Sequence, residues 1–181
     1  MPDQAIATTT RPRLIATVTD MRAAVDAARA QGRTIGLVPT MGALHEGHLS
    51  LVDAAKAECD LTIVTIFVNP TQFGPGEDLQ TYPRTLTDDL AALGERGVEI
   101  VYAPEPDTVY PQGYSTYVDP PHVSEPLEGR CRPGHFRGVA TIVLKLFHMI
   151  PADVAYFGQK DFQQSLVIRR MVEDLNLAIK I

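Results

Sequence analysis

From Met21 onward the apolar positions alternate between two patterns, spacing near 3.6 and short continuous runs. Residues 21–30 predict an amphipathic helix that Thr19 or Asp20 can cap and Gly32 ends. A first strand is predicted over 34–38 and a helix over 48–56. The stretch 61–68 is almost wholly apolar or β-branched, as in a strand buried on both faces of a parallel sheet. The alternation continues with a helix over 85–96 closed by Gly97 and a strand over 98–102. It ends with an apolar helix over 139–149, a strand over 153–157, a helix over 162–175 and a last strand over 177–181. Strands and helices alternating in this way predict an α/β fold, a Rossmann-like doubly wound parallel sheet with its ligands at the carboxyl ends of the strands.

Two segments break the rhythm. Residues 69–83 carry Pro70, Gly74, Pro75, Gly76 and Pro83 and predict a stiff loop leaving a central strand. Residues 104–138 are also rich in Pro and Gly, with short β pairs expected around 115–118. Residues 1–13 are expected to form a flexible tail without the apolar core of a signal peptide, leaving one domain over 14–181.

Composition narrows the function. The net charge of -6, with no run of Lys and Arg, argues against nucleic-acid binding. No apolar stretch reaches the roughly 20 residues of a membrane span. Two cysteines, Cys59 and Cys131, match no metal or redox spacing and read as reduced thiols in a cytoplasmic protein.

The candidate chemistry lies in Pro39-Thr40-Met41-Gly42-Ala43-Leu44-His45-Glu46-Gly47-His48. A strand turning through glycines into a helix N-terminus gathers unpaired backbone N–H groups and the positive end of the helix dipole, which suits a phosphate. Two imidazoles straddling Gly47 add donors. By the crevice rule, two more strand ends should line the same site. One brings Asn69 and Gln72, the other Gly158-Gln159-Lys160-Asp161 with Gln163 and Gln164 in the next helical turn. A lysine at such a turn can meet polyphosphate, and an amide can both donate to a carboxylate and accept from a hydroxyl. No paired carboxylates, serine nucleophile elbow or dinucleotide fingerprint is present, so the chemistry implied is electrostatic stabilisation at phosphorus. A zinc site is not predicted, since the spacing is not H-E-x-x-H and no third ligand follows. Taken singly, the histidines could merely cap a helix, Gln72 brace a loop, Lys160 be a solvated charge and Asp161 an N-cap; His122 and His148 read as structural.

The blocks PTMGALHEGH (39–48), IFVNPTQFGPGEDL (66–79), YPRT (82–85), LEGRCRPGHFRGV (127–139) and FGQKDFQQ (157–164) resemble the pantothenate synthetases, the pantoate–β-alanine ligase family. The HxGH element alone implies only the wider nucleotidylyl-transferase superfamily. The resemblance implies that Met41, Gly42, Ala43, Leu44, His45, Glu46, Gly47 and His48 hold ATP, completed by Gly158, Gln159, Lys160 and Asp161. His48, His45 and Lys160 would be catalytic, stabilising phosphate charge, while Gln72, Gln164 and Asn69 would hold pantoate and β-alanine. It further implies a pantoyl-adenylate intermediate, release of pyrophosphate and AMP, Mg²⁺ carried on the ATP phosphates without a protein metal site, and a homodimer. Gln159 departs from the family's more usual Glu. The family's Met-Ser-Ser-Arg-like lid segment has no counterpart in these 181 residues, so a fragment lacking the C-terminal lid domain and impaired in turnover is expected. Another HxGH nucleotidylyl transferase, or a non-catalytic nucleotide-binding or dimerisation module, remains open on the residues alone.

Overall fold

The computed structural model describes residues 11–74, 76–77 and 79–181; residues 1–10, most of the expected tail, lie outside these. The strands are β1 (Arg13–Ile15), β2 (Ile35–Thr40), β3 (Leu61–Ile66), β4 (Ile100–Tyr102) and β5 (Val154–Ala155). They pair in parallel in the order β1-β4-β3-β2-β5, with Ile35 opposite Leu61 and Thr40 opposite Ile66 in the longest pairing. Helices are α1 (Val18–Ala30), α2 (Glu46–Glu58), α3 (Leu86–Glu95), α4 (Pro106–Val109), α5 (Glu128–Cys131), α6 (His135–Met149) and α7 (Phe162–Asp174). The α/β architecture expected from the alternation is the one observed.

Side chains alternate across the strands and build two apolar layers. Ile35, Leu37, Leu61, Ile63, Ile100 and Tyr102 pack with α1, α6 and α7 on one face. Val38, Val64 and Val101 pack with α2 and α3 on the other. After β2 the chain moves through β3 to β4, and β5 then returns to the opposite side of β2. The helices that follow β2 and β5 therefore cover opposite faces, and the gap between their first turns is the topological switch point where such sheets bind ligands.

Several expected boundaries differ. Helix α1 starts at Val18 because Thr17, not Thr19 or Asp20, caps it, its hydroxyl accepting the Asp20 N–H at 3.1 Å. Strand β1 is not announced by the sequence pattern, and it begins at Arg13, the last residue of the expected tail; its three residues are too few to show a period. Residues 115–118 form no strand. They lie beside α6, where Val118 N–H donates to Thr141 Oγ1 at 2.9 Å instead of to a strand, and among the described residues they take part in no β bridge. The predicted last strand shrinks to one bridge between Val154 and Lys180 at the sheet edge. Helix α6 begins at His135, after Gly134 takes a left-handed φ of 85°, four residues before the apolar run that announced it. Among the described residues, no helix is long and apolar enough to cross a membrane.

Candidate functional site

A cleft of about 410 Å³ opens at the switch point between β2 and β5. Met41, Ala43, His45, Gly47 and His48 line one side, Gly158, Lys160, Asp161 and Gln164 the other, and Asn69 and Gln72 the end of β3. Three separate sequence blocks thus meet in one space, as the crevice rule predicts. Four candidates do not line it. Gly42 and Gln159 face neighbouring cavities. Leu44 packs into the α2–α3 layer. Glu46, with an 89% exposed side chain, pairs with Arg96 at 3.3 Å.

The two histidines perform the capping role and keep a functional group free. His45 is the N-cap of α2, and its Nδ1 accepts the Gly47 N–H at 3.0 Å. His48 reaches back so that its Nδ1 accepts the His45 N–H at 3.4 Å, completing a capping box in which histidine replaces the usual hydroxyl and carboxyl groups. A ring nitrogen that accepts from a backbone N–H carries no proton, so the neutral tautomer is Nε2–H on both rings. Each imidazole keeps one donor after capping the helix. The ring centroids are 4.1 Å apart. A Cβ on Gly47 would fall 2.8 Å from His45 Cε1, which explains the glycine between them. Burial lowers the His48 pKa below its ordinary value, with His45 next in effect; Asp89 opposes this, Lys160 adds to it and Asp161 opposes it.

The turn before the helix differs from expectation. Gly42 and Ala43 both have left-handed φ angles, 82° and 50°. The N–H groups of Ala43 and Leu44 do not remain free for a ligand: they donate to the carboxylate of Asp89 on α3, at 3.0 and 2.8 Å. Asp89 is 3% exposed, and its sequence signal is weak because an acidic pair in the first turn of α3 reads as dipole complementation.

Asn69 is expected from the sequence to touch substrate, but it is 1% exposed and its amide is engaged by the protein. Its Nδ2 donates to Gln72 Oε1 at 3.1 Å and to the Gly138 carbonyl at 3.2 Å, while Oδ1 accepts from the Tyr110 hydroxyl at 2.8 Å. Asn69 therefore orients Gln72, whose Nε2 lies 3.2 Å from Met41 Sδ across the cleft. Among the described residues, none hydrogen-bonds to the Gln164 amide. Gln163 turns away and ties the preceding loop to α7, its Nε2 donating to the carbonyls of Val123 and Pro126 at 3.1 and 2.7 Å. Asp161 sits at the N-cap of α7 without a side-chain cap bond. Val139, Ile142, Val143 and Leu146 of α6 give the cleft an apolar wall, which the periodicity identifies only as core.

A second cavity of about 360 Å³ adjoins the first at Gln72. There Arg132 clamps Glu77 with two bonds of 2.9 and 2.8 Å and also reaches Glu128 at 2.9 Å. Its guanidinium holds the Glu77 carboxyl down at about 2. His135 Nδ1 lies 3.0 Å from the Gln72 carbonyl oxygen. Among the described residues, no group of three or more His, Cys, Asp or Glu is placed to hold a metal ion.

A family model described as Pantoate-beta-alanine ligase matches residues 13–181. The pantothenate synthetase of Roseiflexus castenholzii is 59% identical over 169 residues, covering 93% of this chain and 60% of that protein. That of Cereibacter sphaeroides is 57% identical over 170 residues, covering 94% and 61%. The crystal structure of pantothenate synthetase from Thermus thermophilus superposes with a TM-score of 0.86 at 47% identity, covering 93% of this chain and 59% of that one. Pantoate-beta-alanine ligase from Francisella tularensis, complexed with beta-gamma ATP and beta-alanine, gives a TM-score of 0.90 at 40% identity, with coverage of 94% and 65%. The chain thus spans about 60% of the length of the curated relatives it matches.

Proposed function

The chain belongs to the pantoate-beta-alanine ligase family, and from this we propose that its cleft activates pantoate with ATP for attack by β-alanine. The observation that carries the reading is the meeting of phosphate donors and side-chain amides in one space. His45 and His48 offer Nε2–H donors beside Lys160, and the Gln72 and Gln164 amides lie within the same cleft.

In this reading the triphosphate lies along the N-terminus of α2, with Gly158 and Asp161 toward the nucleoside. Gln72 and Gln164 hold the pantoate carboxylate and hydroxyls, and the wall of Val139, Ile142 and Val143 covers its dimethyl carbon. A carboxylate oxygen then attacks the α-phosphorus, the bond to the β-phosphate oxygen breaks, and pyrophosphate leaves. Negative charge grows on the phosphate oxygens during this step, and His45, His48 and Lys160 donate to it. Donors fixed before the reaction contribute roughly 2.7–4 kcal/mol each by analogy with oxyanion holes. The β-alanine amine next attacks the acyl carbon of pantoyl adenylate, forming the amide and expelling AMP. Bound with the nucleotide, Mg²⁺ would neutralise charge on the departing pyrophosphate; its ligands would be phosphates and water.

We further propose a cytoplasmic homodimer, and slower turnover by these 181 residues than by the longer relatives. The test is AMP formation from ATP in the presence of pantoate and β-alanine. Pantoate-dependent pyrophosphate release followed by β-alanine-dependent AMP supports the reading. Pyrophosphate release indifferent to pantoate would assign the cleft to another nucleotidylyl transfer. Saturable binding of ATP and pantoate with no adenylate at all would make the chain a binding module.

A further inference from the structure

Asp89 stands outside the cleft, and the reaction steps above make no use of it. It lies near the start of α3, and among the described residues no ion pair neutralises it. A carboxylate is an expensive choice for an interior position unless several donors need it. Three do: Ala43 N–H and the Thr85 hydroxyl bond to Oδ2 at 3.0 and 3.2 Å, and Leu44 N–H bonds to Oδ1 at 2.8 Å.

The backbone it meets has an unusual shape. Gly42 and Ala43 are left-handed in succession, and for Ala43 that conformation carries strain. The consecutive N–H groups of Ala43 and Leu44 converge on one carboxylate, as the N–H groups of backbone nests converge on an anion. Here the anion belongs to the protein. A Cβ on Gly42 would sit 3.0 Å from Asp89 Oδ2, so the carboxylate fills the space on that side of the turn as well. The next residue along is His45, the N-cap of α2.

We propose that Asp89 is a positioning residue for the nucleotide site: its carboxylate holds the N–H groups of Ala43 and Leu44 in the turn that starts at Gly42, fixes the path from β2 into α2, and so sets where His45 and His48 present their Nε2–H donors. The proposal rests on the reading of the cleft as an ATP site. Its charge also acts on His48, favouring the protonated ring against the larger effects of burial and His45. A residue present only for packing would tolerate an isosteric amide. A residue that holds both N–H groups does not, because asparagine has one acceptor oxygen and turns its NH₂ group toward the second N–H donor.

The experiment compares wild type, Asp89→Asn and Thr85→Val in the same 181-residue chain. It measures ATP and pantoate Kd by calorimetry and the imidazole ¹⁵N shifts of His45 and His48 by NMR. For Asp89→Asn the expected result is an ATP Kd raised about tenfold to a hundredfold, with pantoate Kd unchanged. The two rings should pass from a single Nε2–H tautomer to a mixture. Thr85→Val, which keeps both backbone bonds to Asp89, should fold and shift the same quantities by less. A folded Asp89→Asn with wild-type ATP affinity and wild-type tautomers overturns the proposal. So does a parallel loss of ATP and pantoate affinity. Where Asp89→Asn does not fold, Thr85→Val decides, and wild-type values for it overturn the proposal. The tautomer measurement needs no nucleotide, so wild-type protein that fails to bind ATP would refute the ligase reading and still leave Asp89 to be judged.

Discussion

Gly138 and Gln72 meet backbone to backbone: a carbon added to Gly138 would lie 2.6 Å from both the nitrogen and the Cα of Gln72. Helix α6 therefore bears directly on the 3₁₀ turn Pro70–Gln72 that carries the candidate pantoate-binding amide. Gly138→Ala must push that turn outward. We expect pantoate affinity to fall at least tenfold and stability by about 1–3 kcal/mol, with ATP affinity little changed. Calorimetric titration of the two ligands checks this, and equal losses for both would refute it.

His48 combines two duties that substitution can separate. His48→Ala loses the cap and the Nε2–H donor, so it should lower stability by about 1 kcal/mol and adenylate formation by about 10²–10³-fold. His48→Asn places an amide oxygen near the position of Nδ1 and can accept the His45 N–H, but it has nothing at Nε2. It should recover most of the lost melting temperature and none of the lost rate. Recovery of both in His48→Asn would show that the ring serves only as a cap.

The same ring predicts a pH dependence. Burial, and secondarily His45, hold its folded pKa below the ordinary 6.5. In the window between the folded and unfolded values the unfolded chain binds the extra proton, so stability rises with pH there. The contribution is complete above about 6.5 and is lost as pH falls through the folded value, when a protonated Nδ1 can no longer accept the His45 N–H. Chemical denaturation at a series of pH values should show this slope in wild type and a weaker one in His48→Asn. The same slope in both would assign it to another group.

Thr62 has a buried hydroxyl, and it is the orphan among the buried side-chain polar atoms of the described residues. It sits in β3, 4% exposed. Thr62→Val replaces the hydroxyl with a methyl group of similar size and keeps the β-branched shape. We expect a gain of about 1–2 kcal/mol, seen as a higher melting temperature with unchanged ligand affinities. A lower melting temperature would mean that the hydroxyl has a partner, such as a bound water.

The elements most legible in the sequence are those with a long period: 61–68 and 139–149 could be little else than a central strand and a buried helix. Strand β1 is not legible and the last strand, predicted over 177–181, is overextended, because contacts of one to three residues at sheet edges depend on which neighbour is present. The site follows the same division. His45, His48, Lys160, Gln72 and Gln164 stand at strand ends, where the α/β rule alone brings them together. Asn69 and Asp89 are bonded to other parts of the protein, and their partners Gly138, Tyr110, Ala43 and Leu44 become apparent only once the chain is folded.

The sheet separates two apolar layers, and the cleft draws on both. The turn with His45 and His48 is carried by α2 and braced from α3, whereas Gln72 is seated against α6 and Gln164 is carried by α7. Loosening the α2–α3 layer should disturb the two histidine donors and spare the Gln72 and Gln164 amides. The histidine turn and the two amides can then drift at separate paces, and in the proposed reading an altered acid pocket can be selected without rebuilding that turn.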